Sequence, residues 1–251
     1  MSERPDCLPG RASSVVPGVF GDRLEVSHQR WSRGGGRSAP GRPLFLCLHG
    51  WGSNEDDITD IMRYIAPYND YVALRAPLTL QEPQGDALRR VAGAYSWFHD
   101  AVPVGEDLDR DAFAAACAID RWVADHVAAD RDVVTLGFSQ GGLLAVHLLR
   151  INASRYRAAI SLSGFLAPRI IKESAPDDDL LAERNTPVFF GYGLADTVIP
   201  RYEIYAMSAW LDEHTWLTSH GYPRLDHSVS LEEFADIRQW LVMNDISSGV
   251  I

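Results

Sequence analysis

Short, continuous apolar runs recur along this chain, separated by segments with helical periodicity, and that alternation leaves few architectures open. Residues 44–48 (Leu-Phe-Leu-Cys-Leu), 71–75, 133–137, 158–163 and 187–192 have the composition of strands buried on both faces, as in a parallel sheet. Between them, Ile58, Ile61, Met62 and Ile65 fall on one helical face, as do Phe113, Ala116, Ile119, Val123 and Val127. Residues 142–150 and 202–214 read as further helices, the second entered through Pro200. A strand at 215–219 precedes Ser230-Leu-Glu-Glu233, a capping box that opens a last helix with Phe234, Ile237 and Leu241 inward. The pattern predicts an α/β fold, with a mainly parallel central sheet of about eight strands flanked by helices and no separate cap domain. Residues 24–28 alternate as a leading strand would, Ser53 and Asp56 have capping-box spacing, and 78–108 read as one long irregular loop. Residues 1–18 are expected to form a loosely ordered tail on a single domain spanning 19–251.

The charge balance narrows the possible partners. There are 23 basic and 34 acidic residues in 251, a net charge of −11. Such a surface repels phosphate backbones and anionic bilayers, so neither nucleic acid nor stable membrane association is expected. Cys7, Cys47 and Cys117 have neither disulfide-framework nor zinc-site spacing. With an acidic start, no apolar signal-like segment and no membrane-length apolar run, a cytoplasmic protein is expected, as monomer or homodimer.

Gly137-Phe-Ser139-Gln-Gly141 fits G-x-S-x-G, and it lies between a buried strand and a helix. That is the setting of a nucleophile elbow, where a sharp turn lifts the serine hydroxyl to a helix N-terminus; the plainer alternative is a tight turn with an N-cap serine. A serine nucleophile needs a base. Of eight histidines, His126 and His147 lie in helices, His28 in the expected first strand, and His214 and His220 beside a late strand. His227 follows the last strand and precedes the capped helix, at the sheet edge where sites assemble. Asp196, after the strand at 187–192, falls between Ser139 and His227 in chain order. Asp226 is too close to His227 in sequence, and residues 177–179 look like a solvated acidic run. Two backbone donors are needed for an oxyanion, and Gln140 N–H and Trp51 N–H of His49-Gly-Trp-Gly52 are the candidates.

Together these stretches resemble the phospholipase/carboxylesterase family of serine α/β hydrolases. The resemblance is carried by residues 48–55 (Leu-His-Gly-Trp-Gly-Ser-Asn-Glu), Leu74-Arg-Ala-Pro77, Ser96-Trp-Phe98, residues 137–142 (Gly-Phe-Ser-Gln-Gly-Gly), Ser163-Gly164, Asp196-Thr-Val-Ile-Pro200 and His227-Ser-Val-Ser230. It implies an α/β-hydrolase fold, a Ser139–His227–Asp196 triad, oxyanion donors at Trp51 and Gln140, and no metal or organic cofactor. It implies a small-molecule acyl ester as substrate, with the pocket near Leu78, Trp97, Phe165 and Val198. Separately, Trp51 and Trp97 are expected exposed near the mouth, as a dimer contact or a substrate wall. Two departures stand out: Tyr192-Gly193 where the family often has His-Gly, and a longer loop at 81–95.

The function this implies is hydrolysis of short- to medium-chain carboxylic esters through an acyl-enzyme. Acyl-thioester or lysophospholipid hydrolysis by the same triad remains open, as does a catalytically silent hydrolase fold used for binding.

Overall fold

The structure, a computed structural model, describes residues 7–32, 42–85 and 91–246. In chain order the strands are β1 (Arg11–Ala12), β2 (Val19–Phe20), β3 (Gln29–Trp31), β4 (Leu44–Leu48), β5 (Asp70–Leu74), β6 (Leu78–Gln81), β7 (Ala94–Ser96), β8 (Val133–Phe138), β9 (Tyr156–Leu162), β10 (Pro187–Gly193) and β11 (Trp216–Tyr222). The α-helices are α1 (Glu55–Ile65), α2 (Gly105–His126), α3 (Gln140–Ile151), α4 (Asp178–Arg184), α5 (Arg201–His214) and α6 (Leu231–Met243). The central sheet has seven strands in the order β11-β10-β9-β8-β4-β5-β3. All neighbours are parallel except β3, which runs antiparallel to β5. Among the described residues no helix is long and apolar enough to cross a membrane.

The fully apolar strands are explained by packing on both faces. Leu44, Leu46 and Leu48 of β4 join one buried cluster with α2 and α3, while Phe45 and Cys47 join a second with α1 and α6. The chain passes from β4 through α1 to β5, and the next strand of the central sheet, β8, pairs on the other side of β4. The carboxyl ends of β4 and β8 therefore form a topological switch point, the place where α/β sheets open a crevice.

Several expectations are corrected. The segment 78–108 is not one irregular loop: β6 and β7 form an antiparallel hairpin with a register shift between Thr79 and Gln81, and α2 begins at Gly105. The longer loop expected at 81–95 falls partly on residues 86–90, outside the described residues. Residues 24–28 bury Leu24 without joining a ladder; the edge strand is Gln29–Trp31. His220 lies within β11 rather than beside it. The N-cap of α1 is Asn54, whose Oδ1 accepts the Asp56 N–H at 2.9 Å, while Ser53 donates its hydroxyl to Asp57. Within residues 7–20, β1 pairs with β2 and Leu8 and Val16 are buried; buried Asp111 of α2 accepts the Gly21 N–H at 2.8 Å.

The acidic run 177–179 is not uniformly solvated. Asp178 is buried and takes two 2.9 Å hydrogen bonds from Arg150. The same guanidinium donates to Ala167 O and lies over the Trp210 ring. Removing one partner of a buried pair leaves an uncompensated charge, at a cost of about 3–5 kcal/mol. Denaturant unfolding should therefore show Asp178→Ala destabilised by about 3–5 kcal/mol, with exposed Asp179→Ala within about 0.5 kcal/mol of the parent.

The Ser230 hydroxyl caps α6 by accepting the Glu233 N–H at 3.1 Å. The Glu233 carboxyl is buried against Gly191, where even a Cβ would approach Oε1 within 2.1 Å. Burial pushes its pKa up to about 8; the Ser230 backbone N–H opposes the shift and Asp236 adds to it. Because the folded-state value lies above the ordinary one, the folded chain holds the proton more tightly than the unfolded chain. The stability this proton gives is complete below about pH 4.5 and is lost as pH rises towards about 8. Glu233→Gln should therefore raise the melting temperature relative to the parent at pH 8 more than at pH 5; an equal shift at both pH values would contradict a buried protonated carboxyl.

Candidate active site

The turn between β8 and α3 places Ser139 in an uncommon conformation. Its φ is 58° and its ψ −117°, a strained state for a residue with a side chain, costing about 1–3 kcal/mol where it occurs. Its N–H is fixed by Leu162 O of β9 at 2.8 Å, and its carbonyl accepts the Leu143 N–H of α3 at 3.0 Å. The flanking glycines are required by close approach. A Cβ on Gly137 would lie 1.9 Å from Gly141 O, and one on Gly141 would lie 2.0 Å from Leu48 O at the end of β4.

The loop after β4 is held against this turn. The virtual Cβ of Gly50 is 3.2 Å from the Ser139 Cβ. His49 is buried and pins the loop: its Nδ1–H donates to Gly50 O at 2.8 Å and its Nε2 accepts the Ala76 N–H at 3.1 Å. Burial lowers its pKa to about 4, so it stays neutral and serves as a strut rather than a base. Trp97 Nε1–H donates to His49 O at 3.0 Å, and the β6–β7 hairpin adds Gly52 N–H to Tyr95 O and Tyr95 N–H to Ser53 O, both 3.0 Å. Among the described residues, neither the Trp51 N–H nor the Gln140 N–H is matched to a protein acceptor.

The remaining two candidates meet. His227 Nδ1–H donates to Asp196 Oδ2 at 2.8 Å, and the Asp196 side chain is almost wholly buried. Its other oxygen accepts Val198 N–H at 2.8 Å and Ile199 N–H at 2.9 Å, so the carboxylate is fixed on both sides. Asp226 acts differently. It ties the His227 loop to the Asp196 loop by accepting the N–H groups of His227 and Thr197 and the Thr197 hydroxyl. The His227 ring packs 4.8 Å from the ring of Phe138, the residue before Ser139.

The expected pocket residues are placed differently. Trp97 and Phe165 are completely buried; Trp97 spends its N–H on His49, and Phe165 meets Phe98 edge-on. They are core beneath the site, and Trp97 is not at the mouth. Leu78 is half-buried opposite Ser96, and Val198 is exposed beside Asp196. The cavity that opens beside His227 is instead bounded by α1, α6 and residues 228–229. The sequence points to Gln140 only as a backbone donor, yet its side chain has a part of its own. Its Oε1 accepts Ser96 Oγ–H and Trp97 N–H, both at 3.1 Å, and its Nε2 donates to Asp100 O and Ala101 O. Among the described residues no group of three or more His, Cys, Asp or Glu side chains is arranged to hold a metal.

Comparison with known proteins identifies the family. The profile of the phospholipase/carboxylesterase family matches residues 37–244. The chain belongs to that family. It is 24% identical over 217 residues to acyl-protein thioesterase 1 of Kluyveromyces lactis, covering 82% of this chain and 93% of that protein. A probable carboxylesterase of Oryza sativa is 29% identical over 158 residues, 58% of this chain and 64% of its own. Among solved structures, the family fold is shared with a Mesorhizobium loti carboxylesterase (TM-score 0.65, 22% identity, 88% of this chain and 99% of that one). It is also shared with acyl-protein thioesterase 2 of Zea mays (TM-score 0.65, 19% identity, 86% and 98%). This chain is thus a hydrolase of the phospholipase/carboxylesterase family.

The elbow of this hydrolase can be tested by contrast between glycines. Gly141→Ala should lower the unfolding free energy by about 3 kcal/mol or more, because backbone atoms cannot yield to the new Cβ. Gly52→Ala, at φ +73° but with nothing within 4 Å of its Cβ position, should cost only about 1–2 kcal/mol. Similar losses at both positions in denaturant titrations would contradict this account of the turn.

Proposed function

We propose that this chain is a serine hydrolase that cleaves short- to medium-chain carboxylic esters through an acyl-enzyme. The observation that carries the reading is the Asp196-bonded imidazole of His227, packed on Phe138 beside the strained Ser139 turn. In this reading His227 Nε2 takes the Ser139 proton as Oγ attacks the ester carbonyl carbon. The carbonyl electron pair moves to oxygen, where Trp51 and Gln140 N–H groups receive it. The tetrahedral intermediate collapses, the C–O bond to the alcohol breaks, and His227 returns the proton to the departing oxygen. Water, deprotonated by the same imidazole, then adds to the acyl-Ser139 carbonyl; collapse releases the carboxylic acid and restores the hydroxyl. Asp196 holds the Nδ1–H tautomer and stabilises the imidazolium. Its two backbone donors keep the carboxylate oriented throughout.

Thioesters form a second substrate class for the same machinery, with a thiolate in place of the alkoxide. The thioesterase names of the relatives in Kluyveromyces lactis and Zea mays favour testing it. Ser139→Ala should lower kcat for p-nitrophenyl butyrate by about 10⁶-fold and abolish fluorophosphonate labelling, and His227→Ala should lower kcat comparably. A folded Ser139→Ala protein that retained most of its turnover would identify a different nucleophile. Turnover of a butyryl ester and a butyryl thioester, measured side by side, ranks the two classes.

A further inference from the structure

A cavity of about 410 Å³ opens to solvent beside the imidazole. Its inner end is formed by His49, Gly50, Phe138 and His227, the groups that surround the Ser139 turn. Its outer walls are apolar: Ile58, Ile61 and Tyr64 from α1 on one side, Val229 and Phe234 on the other. Tyr64 and Phe234 stack with ring centroids 5.2 Å apart, which gives the outer end an aromatic wall.

Which part of an ester such a groove receives follows from the proton's path. His227 uses Nδ1 to hold Asp196, leaving Nε2 as the atom that delivers a proton. The proton goes to the departing oxygen, so the substituent on that oxygen must lie past the imidazole. The groove begins at that imidazole. We propose that the groove between α1 and α6 is the leaving-group site and that it selects esters of apolar, uncharged alcohols of about benzyl size. This rests on the serine-hydrolase reading above and adds the alcohol class to it.

Size and charge both fit. About 150 Å³ suffices to hold benzene in an apolar cavity, so a ring with a short tether is accommodated. The charged lining residues are Asp57 and Asp60, and no Lys or Arg lines the groove among the described residues. Asp57 accepts from the Ser53 hydroxyl at 2.8 Å and from Asn54 Nδ2 at 3.2 Å, while Asp60 pairs with Arg63 on the surface. Two carboxylates at the lip repel a phosphate-bearing alcohol, a form of discrimination against the wrong partner.

The test uses the full chain and a series of acetates of methyl, n-butyl and benzyl alcohol. All three form the same acetyl-enzyme, so kcat/KM reports the acylation step and the alcohol alone varies. It should rise at least about tenfold from methyl to benzyl acetate, the scale of differences set by apolar pockets. Ile61→Phe, which adds bulk to the groove wall, should lower the benzyl-to-methyl ratio of kcat/KM about tenfold. The ratios within methyl acetate, butyrate and hexanoate should not change. Tyr64 is half exposed, and Tyr64→Ala provides a second variant that removes the outer wall without altering the core. It should lower the benzyl preference about fivefold. Acetylglycerol phosphate should be turned over more slowly than benzyl acetate. With Ser139 labelled by fluorophosphonate, a flat alcohol series, a preference for the phosphate ester, or an Ile61→Phe effect confined to the acyl series would overturn the groove assignment alone. An unlabelled Ser139 and no ester turnover would overturn the hydrolase reading, and this proposal with it.

Discussion

The close crossing of main chains at the carboxyl ends of β4 and β8 is the constraint on which the site depends. The first turn of α3 lies so near the ends of both strands that Gly137 and Gly141 leave no room for a Cβ. That contact does more than fit a helix onto a sheet. It forces the chain through positive φ at Ser139, and it brings the loop after β4 beside the N-terminus of α3. The loop that carries Trp51 is thereby held against the Ser139 turn at Gly50. A helix N-terminus adds a fixed positive partial charge in the same place.

Around that crossing, polar side chains serve as internal braces. His49, Gln140 and Asp226 each make two or more hydrogen bonds to backbone, and each ties two different segments together. Gln140 joins α3 to the segment 96–101, His49 joins the loop after β4 to Ala76, and Asp226 joins the Asp196 and His227 loops. Where such groups are buried, as His49 and Gln140 are, they stabilise little net over water but are costly to leave unmatched, so they hold the loops to one arrangement. The Asp196 carboxylate is fixed in the same way, with two backbone donors on one oxygen and the imidazole on the other.

Much of this is legible in the sequence because it reflects periodicity and turn chemistry. The apolar run at 44–48, the one-sided helix from Ile58 to Ile65 and the Ser230 cap each read directly, and the strand-turn-helix setting singles out Ser139. Chain order and loop position single out Asp196 and His227. What is not legible depends on contacts distant in sequence. The hairpin β6–β7 has short, half-exposed strands and owes its order to hydrogen bonds with residues 52 and 53. Asp178 reads as solvated because its partner, Arg150, is 28 residues away. The alternation at 24–28 buries Leu24 against the core but finds no neighbouring strand. Trp97 and Phe165 are expected near the pocket from the family resemblance alone, and their complete burial depends on packing that the resemblance does not give.

The two faces of the sheet have separate consequences for chemistry. The α2–α3 face is filled: α3 is buried along its whole length, and Trp97, Phe98 and Phe165 close the space between it and the loops. The α1–α6 face is packed near the sheet but open towards the rim, where α1 and α6 meet through the Tyr64–Phe234 stack and the hydrogen bond from Arg238 to Tyr64 O. Both helices start at the loops that carry reactive groups, so the groove between them inherits its position from the site. Altering the side chains on these two helices can reshape what sits beside the imidazole without disturbing the crossing that strains Ser139.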